Sequence, residues 1–558
     1  MKYVLIGGVA GGATTAARLR RLDEKAEIVL IERGDYISYA NCGLPYYIGG
    51  VIAQRDQLFV QTPERLRAFF NIDVRIRTEA IRIDRSCQEV VVRSADGNVE
   101  SIHYDKLLLS TGARAIKPRL EGIDHERIVT LRNVPDTDTI KRLVTEHPIR
   151  KVTIIGAGFI GLEMAENLHR LGIEVSIVEM APQVMAPLDF PMAALVGHHL
   201  ASKGVHLYLG EEVTGFAALS NSEGVAVALK SGMQIESDMV LLSIGVQPES
   251  SLAEAAGLDL GARRGIIVNP YLQTSDPLIY AIGDVVEYLH PLLGEPWHNF
   301  LAGPANRQGR LAADNMALGN VATYEGSIGT GIAQVFDLTV GATGVASKRL
   351  QQLNIPHRTT ITHSASHASY YPGAEVVSTE LIFSPTDGKL LGAQVVGAGG
   401  VDKRIDQLAL LIKLGASVAD LVRLEHAYAP PFSSAKDPIA IAGYVAQNLL
   451  EGRLEIIDWH TLQNEDLQKV QIVDVRSREE YLSGHIPHSI SLPLTELREQ
   501  YSQLDRERPI VLACAIGQRS WYAYRLLKGL GYNHVAVLSG GVKTYLAATT
   551  PCGASPKV

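Results

Sequence analysis

Cys42 and Cys514 stand in two settings that suit different thiol chemistry. Cys42 lies within Ser38-Tyr-Ala-Asn-Cys-Gly-Leu-Pro-Tyr-Tyr47, shortly after a glycine-rich start. A thiolate there can exchange with a disulfide or be oxidised reversibly. Cys514 opens Cys-Ala-Ile-Gly-Gln-Arg519-Ser520, directly behind the apolar run Ile510-Val-Leu-Ala513. That pattern predicts a strand delivering the cysteine into a tight loop that leads into a helix. Backbone N–H groups of such a loop, and the helix N-terminus, favour a thiolate and then a persulfide anion. Arg519 adds positive charge.

Neither cysteine has a partner at Cys-x-x-Cys spacing, so no zinc knuckle or thioredoxin-like site is expected, and no metal. Cys87, among Ile81–Arg93, and Cys552, in a Pro/Gly/Ser tail, read as incidental thiols. Four cysteines are too few to scaffold 558 residues. A formal net charge of −8 argues against nucleic acid or an anionic membrane as partner. The 46% hydrophobic and 20% charged composition is that of soluble globular protein. Met1-Lys-Tyr-Val-Leu-Ile-Gly7 enters a strand directly, and no apolar run is long enough to span a bilayer. A reduced, cytoplasmic protein of three or four domains is expected.

The elements around Cys42 repeat. Val4–Ile6, the turn Gly7-Gly8-Val9-Ala10-Gly11-Gly12 and an Ala/Arg/Leu-rich helix are followed by Ile28–Ile31, ending at Glu32. Lys151–Ile155, then Gly156-Ala-Gly158-Phe-Ile-Gly161, a helix through His169 and Val175–Val178 ending at Glu179 form the same unit again. Glycines permit the tight turn and close approach of a pyrophosphate to the helix N-terminus. The acidic residue about 20 positions on accepts hydrogen bonds from a ribose. Two dinucleotide-binding folds follow, although Val9 replaces the usual second glycine of the first.

Thr111-Gly112 and Ala281-Ile-Gly283-Asp284 complete a resemblance to two-fold flavoprotein disulfide reductases. The resemblance implies an α/β chain: an FAD-binding domain (1–115 and 245–324), an NAD(H)-binding domain (116–244) and an α+β dimerisation domain (325–448). Val470–Arg476, Gly484-His-Ile-Pro487, the Cys514 loop and Leu538–Val542 resemble a rhodanese domain over 456–550. FAD would meet Gly7, Gly8, Ala10, Gly11, Gly12, Glu32, Arg33, Asn41, Thr111, Gly112, Gly283 and Asp284. NADH would meet Gly156, Gly158, Gly161 and Glu179. NADPH fits less well, because Glu179 suits a free 2′-hydroxyl and Met180-Ala-Pro182 offers no arginine for a 2′-phosphate.

Most such reductases use two cysteines four residues apart; here Cys42 stands alone. A single cysteine holds its oxidised state as a mixed disulfide or a sulfenic acid. The Cys42 window, with Pro304-Ala-Asn306 and His426-Ala-Tyr428 through Lys436, resembles the coenzyme A-disulfide reductase family and its persulfide-reducing relatives. That resemblance places Thr14, Arg18, Arg21, Ser38, Asn41, Asn306 and Lys436 at a coenzyme A site. It also brings Tyr428, with Tyr370 or Tyr371, to the active site of the other subunit of a homodimer. Arg18 and Arg21, three apart on a helix, also read as a solvated face. The implied activity is NADH-dependent reduction of persulfide, polysulfide or coenzyme A disulfide, with Cys514 and Arg519 handling sulfane sulfur. The alternatives are an NADH oxidase or peroxidase cycling Cys42 through sulfenic acid, and a chain that is chiefly a sulfurtransferase.

Overall fold

The computed structural model describes residues 1–558 except 221–222, 466–468 and 554–558. The chain forms two compact units, Met1–Met180 with Glu211–Gly329, and Ala181–Gly210 with Thr330–Val558. The helix Phe190–Ser202, inside the span expected for the NAD(H) domain, is thus part of the second unit.

In the first unit, parallel strands run in the order Ile279–Ala281, Lys106–Leu109, Lys2–Ile6, Glu27–Ile31, Asp73–Arg75. Strand side chains alternate, and both faces of this sheet are covered, so the strands are apolar throughout. Tyr3, Leu5, Ile28 and Leu30 pack with residues of the helices Ala10–Leu22 and Ala302–Leu318. Val4, Ile6, Val29 and Ile31 pack instead with an antiparallel sheet of Thr78–Asp84, Glu89–Ser94 and Val99–His103. Cys87 is exposed in the turn between the first two of those strands. A second parallel sheet places Glu174–Glu179, Lys151–Ile155, Met239–Leu242 and Ile128–Thr130 side by side. The two nucleotide-fold patterns are therefore two sheets of one compact unit.

The second unit holds an antiparallel sheet ordered Gly331–Val335, Leu338–Gly344, Leu390–Gly397, Val376–Phe383, Arg358–Ala365. It also holds a parallel sheet ordered Ile456–Ile457, Val535–Leu538, Ile510–Ala513, Gln471–Asp474, Ile490–Ser491. The two sheets are joined through buried polar groups. His363 contacts Ser378 Oγ through Nδ1 at 2.8 Å and Thr544 Oγ1 through Nε2 at 2.9 Å. Beside it the Ile361 N–H donates to Ser539 Oγ at 3.1 Å. Burial pushes His363 down to about 3, so the ring is neutral at physiological pH.

Candidate active sites

The glycine turns are closed so tightly that side chains are excluded. Gly7 stands at φ 97°, where a Cβ would lie 2.2 Å from the Ser110 carbonyl oxygen, and a Cβ on Gly12 would lie 1.8 Å from that of Gly7. Gly11 is pressed on Ile282, 2.7 Å from where its Cβ would be. The helix starting at Ala10 has no side-chain cap, which leaves its first N–H groups for an anion. Glu32 braces the turn, accepting the Gly8 N–H at 2.9 Å and the Gly34 N–H at 2.8 Å. Val9 has a negative φ of −91°, so the position without the usual glycine is not one of left-handed backbone.

The second turn repeats the construction. Gly156 has φ 103°, a Cβ on Gly161 would fall 2.2 Å from the Gly156 carbonyl oxygen, and Glu179 accepts the Ala157 N–H at 2.8 Å. A Cβ on Gly158 would meet nothing within 4 Å, so this glycine borders open space where a ligand backbone can approach. Both cradles fit a dinucleotide in shape and donor set. Around the first, the Thr111 hydroxyl donates to the Glu249 carbonyl at 2.6 Å, and the Gly283 N–H to Gln308 Oε1 at 2.7 Å. Gly112 has φ 71°. Arg33 is exposed, with Glu249 at 3.7 Å.

Cys42 occupies a short turn, Asn41–Gly43, before the helix Leu44–Ile48. Lys141 Nζ caps that helix, donating to the Ile48 carbonyl at 3.0 Å. Ser38, at the start of the segment, has φ 44°, a left-handed conformation costing about 1–2 kcal/mol for a non-glycine residue. It is held by its N–H, which donates to the Gly8 carbonyl at 2.8 Å, and by its carbonyl, which accepts from Val60 at 3.0 Å. Arg132 then clamps the cysteine's neighbour. Asn41 Oδ1 accepts from Arg132 Nη1 at 2.6 Å and its amide donates to the Arg132 carbonyl at 2.9 Å, in the amide orientation these neighbours require. The same guanidinium donates to Asp284 at 3.1 Å and to the Ala113 carbonyl at 2.7 Å. Cys42 is exposed, yet partial burial in its recess pushes the thiol up, Glu163 and Asp284 push the same way, and Arg132 opposes them.

Among the residues expected at a coenzyme A site, Thr14 and Asn306 meet, with the Thr14 hydroxyl donating to Asn306 Oδ1 at 2.7 Å. Arg18 is already engaged, its Nε donating to Asp314 at 2.8 Å. Arg21 is exposed, 6.0 Å from the centre of the Phe70 ring. Asp314 balances the charge of Arg18, so of the two arginines Arg21 is the exposed one.

In the second unit the Tyr370 and Tyr428 hydroxyls are 2.8 Å apart, and this contact raises the Tyr370 phenol. They remain 74% and 49% exposed, so the pair is presented outward. Tyr371 turns its ring edge to His367 instead, which singles out Tyr370 as the partner of Tyr428. A buried ion pair fixes the segment carrying Tyr428 and exposed Lys436: Arg404 donates to Asp437 at 2.8 and 3.2 Å, and Ser433 Oγ donates to Asp437 at 2.7 Å. Burial alone would raise Asp437, but these donors hold it down to about 2. Removing one partner of such a pair costs about 3–5 kcal/mol.

Cys514 is built differently. It is 1% exposed at the end of strand Ile510–Ala513, and the Gly517 N–H donates to its sulfur at 3.1 Å. The helix Gln518–Gly529 begins immediately after. Gly541, at φ 64°, lets a neighbouring helix approach so closely that a Cβ would lie 2.3 Å from the Cys514 carbonyl oxygen. Arg519 lies close enough to Cys514 to feel a charge on its sulfur, and it grips Glu480 with both Nη atoms at 2.6 Å, which holds that carboxylate down to about 2. Its charge is therefore shared between the sulfur and Glu480 rather than devoted to the sulfur.

Residues 1–324 match the pyridine nucleotide-disulphide oxidoreductase family, 332–438 its dimerisation domain and 460–548 the rhodanese-like domain. The chain belongs to the pyridine nucleotide-disulphide oxidoreductases. It is 34% identical over 449 residues to a coenzyme A disulfide reductase of Staphylococcus haemolyticus, covering 80% of this chain and 100% of that protein. The crystal structure of reduced Bacillus anthracis CoADR-RHD shares 46% identity at a TM-score of 0.95, over 99% of this chain and 98% of that one. An NAD-dependent persulfide reductase from A. fulgidus shares 38% at a TM-score of 0.92, covering 98% and 100%.

Two residues beside Cys42 escaped the sequence reading: Arg132 and Glu163. Arg132 precedes Asn133, the cap of helix Val134–Glu146, and that cap is the only signal in its neighbourhood. Its reach to Asp284, 152 residues away, exists only in the folded chain. Among the described residues no group of three or more His, Cys, Asp or Glu is placed to hold a metal, and no helix is long and apolar enough to cross a membrane.

Proposed function

We propose that this oxidoreductase uses NADH to reduce persulfide, polysulfide or coenzyme A disulfide through Cys42, with Cys514 carrying sulfane sulfur. The observation that carries the reading is a pair of unlike free cysteines: an accessible one clamped through Asn41 to Arg132 and Asp284, and a buried one with an N–H aimed at its sulfur. FAD in the first cradle supplies the two-electron exchange between NADH and sulfur. Cys42 attacks the substrate sulfur as a thiolate and is held in a mixed disulfide until reduced. Arg132 orients Asn41 and favours the thiolate, while Asp284 keeps the guanidinium in place. Thr14, Ser38, Asn41, Asn306, Arg21 and Lys436 bind the coenzyme A portion, and Arg18 contributes through its paired guanidinium. Glu179 selects NADH over NADPH. In a homodimer, Tyr370 and Tyr428 of each chain would complete the partner's Cys42 site. Cys514 accepts sulfane sulfur as a persulfide anion stabilised by the Gly517 N–H and Arg519, and passes it on. The fusion favours persulfide or polysulfide over a simple disulfide, which gives Cys514 nothing to carry.

NADH turnover on coenzyme A disulfide, coenzyme A persulfide and polysulfide, side by side with sulfide measured, tests the reading. The greatest efficiency is expected with a persulfide or polysulfide. A second reading is supported by the NADH oxidase of Methanocaldococcus jannaschii, 34% identical over 454 residues. Oxygen or peroxide consumption matching sulfur turnover would favour that one.

A further inference from the structure

Cys42 sits on segments too short to hold themselves: a three-residue turn, Asn41–Gly43, and the five-residue helix Leu44–Ile48. Its sulfur is a free thiol, so no disulfide ties the segment down. Side chains on and beside one longer helix, Val134–Glu146, reach it on both flanks. On the C-terminal flank, Lys141 Nζ donates to the Tyr47 carbonyl at 3.3 Å and the Ile48 carbonyl at 3.0 Å. The same ammonium lies 5.4 Å from the centre of the Tyr47 ring. On the N-terminal flank, Asp138 accepts from Arg55 Nε at 2.8 Å and Nη2 at 2.7 Å, and that Nη2 also donates to the Tyr36 hydroxyl at 2.8 Å. The Arg55 guanidinium is 4.9 Å from the centre of the Tyr36 ring and 5.3 Å from that of Phe59. The grip passes on through backbone: the Ala40 N–H donates to the Leu58 carbonyl at 2.7 Å, and the Val60 N–H to the Ser38 carbonyl at 3.0 Å. Between the flanks Arg132 clamps Asn41, and its own backbone N–H donates to Asp136 of the helix at 2.8 Å.

We propose that helix Val134–Glu146 is the strut that sets the position of Cys42, with Lys141 and the Arg55–Asp138 pair as positioning residues, an assignment that rests on the function proposed above. Asp138 and Lys141 are three apart and share a face of the helix, while Val134, Thr137, Ile140 and Leu143 are buried. The strand before the helix, Ile128–Thr130, pairs with Met239–Leu242 in the second nucleotide sheet. The sulfur of the first nucleotide fold therefore takes its position from the second. Thiol–disulfide exchange requires the thiolate in line with the bond it breaks, and a displacement of about 1 Å costs about a hundredfold in rate. The Arg55 and Asp138 side chains are 30% and 41% exposed, and an ion pair so placed adds little to stability. Its two-pronged geometry is directional, so its loss should free the segment without unfolding the chain. These residues act through the backbone around Cys42 and not on its sulfur.

The test uses the full FAD-containing chain and begins without substrate. Hydrogen–deuterium exchange is read by mass spectrometry on peptides covering residues 38–48. Lys141→Met and Asp138→Asn should each speed exchange there roughly tenfold and leave the peptides around Cys87 and Cys514 unchanged. With coenzyme A persulfide, kcat should fall about tenfold in each variant, while KM changes less than about twofold. Reduction of the flavin by NADH should keep its rate. Lys141→Arg, which keeps a cation for the Tyr47 and Ile48 carbonyls, should restore both exchange and kcat. Unchanged exchange over 38–48 in both variants, faster exchange with unaltered kcat, or a Lys141→Arg variant no better than Lys141→Met overturns the assignment. Because hydrogen exchange needs no sulfur substrate, faster exchange in the variants together with no sulfur reduction by the unaltered protein would overturn the proposed function and leave the strut standing.

Discussion

The two cysteine sites solve the problem of holding a reactive sulfur in opposite ways. Cys514 is enclosed, and its partners are local: Gly517 lies three residues on, and Arg519 two further. Glu480, which grips Arg519, lies 39 residues from that arginine. Cys42 is accessible, and the groups that tune it come from three other stretches, at Arg132, Glu163 and Asp284. A closed loop of backbone donors stabilises an anion whatever the rest of the chain does. An open site balanced between opposing charges can change its sulfur's proton affinity as those charges change. The enclosed cysteine suits carriage of sulfur, and the open one suits repeated exchange.

The sharpest break between them is expected on Cys42→Ser. FAD and its yellow colour should remain, because the cradles do not use the thiol, while persulfide turnover should fall at least about 1000-fold. Thiosulfate-to-cyanide sulfur transfer at Cys514 should survive. Full persulfide reduction in this variant would sink the role given to Cys42. Cys514→Ser should act more selectively. Coenzyme A persulfide, which reaches Cys42 directly, should lose little, whereas polysulfide or a protein persulfide should lose roughly tenfold or more. Uniform loss would mean that the rhodanese domain shapes the flavin site, and no loss with any donor would end the relay.

Nucleotide choice should touch only one of the two activities. NADH should exceed NADPH in kcat/KM by about tenfold, since a 2′-phosphate would face the Glu179 carboxylate. Glu179→Ala should narrow the gap and leave cyanide-accepting transfer unchanged; equal efficiency of the two nucleotides in the unaltered protein would refute the assignment. The smallest effect concerns the anchoring of the Cys514 half. His363 has a folded value of about 3 against an ordinary 6.5, so the unfolded chain binds more protons between those values. Its contribution to stability is present in full above about pH 6.5 and is lost progressively as pH falls toward 3. Thermal unfolding from pH 7 to 5 should show this slope, and His363→Gln should flatten it. An equal slope in the variant would assign the acid sensitivity elsewhere.

Much was legible because it is local. Strand, glycine turn, helix and terminal glutamate follow one another within each nucleotide fold, and Gly7, Gly12, Gly156 and Gly161 sit where a Cβ would strike backbone atoms. The strand before Cys514 and the helix after it were readable for the same reason, since apolar runs and loop glycines carry their own backbone consequences. What lay outside the sequence's reach was every assignment that depends on which distant groups share one space. The motif residue Arg18 turned out to be engaged by Asp314, 296 positions away. Arg132 carried no mark of the clamp it forms, and Tyr370 could not be told from Tyr371 until one of them met Tyr428. The sequence by itself determined the elements, the two cysteines and the nucleotide turns, because short-range sterics and hydrogen bonding act within a few residues. The tertiary structure alone decided the charge around Cys42, because Coulomb interactions and burial depend on distance in space and not on separation along the chain.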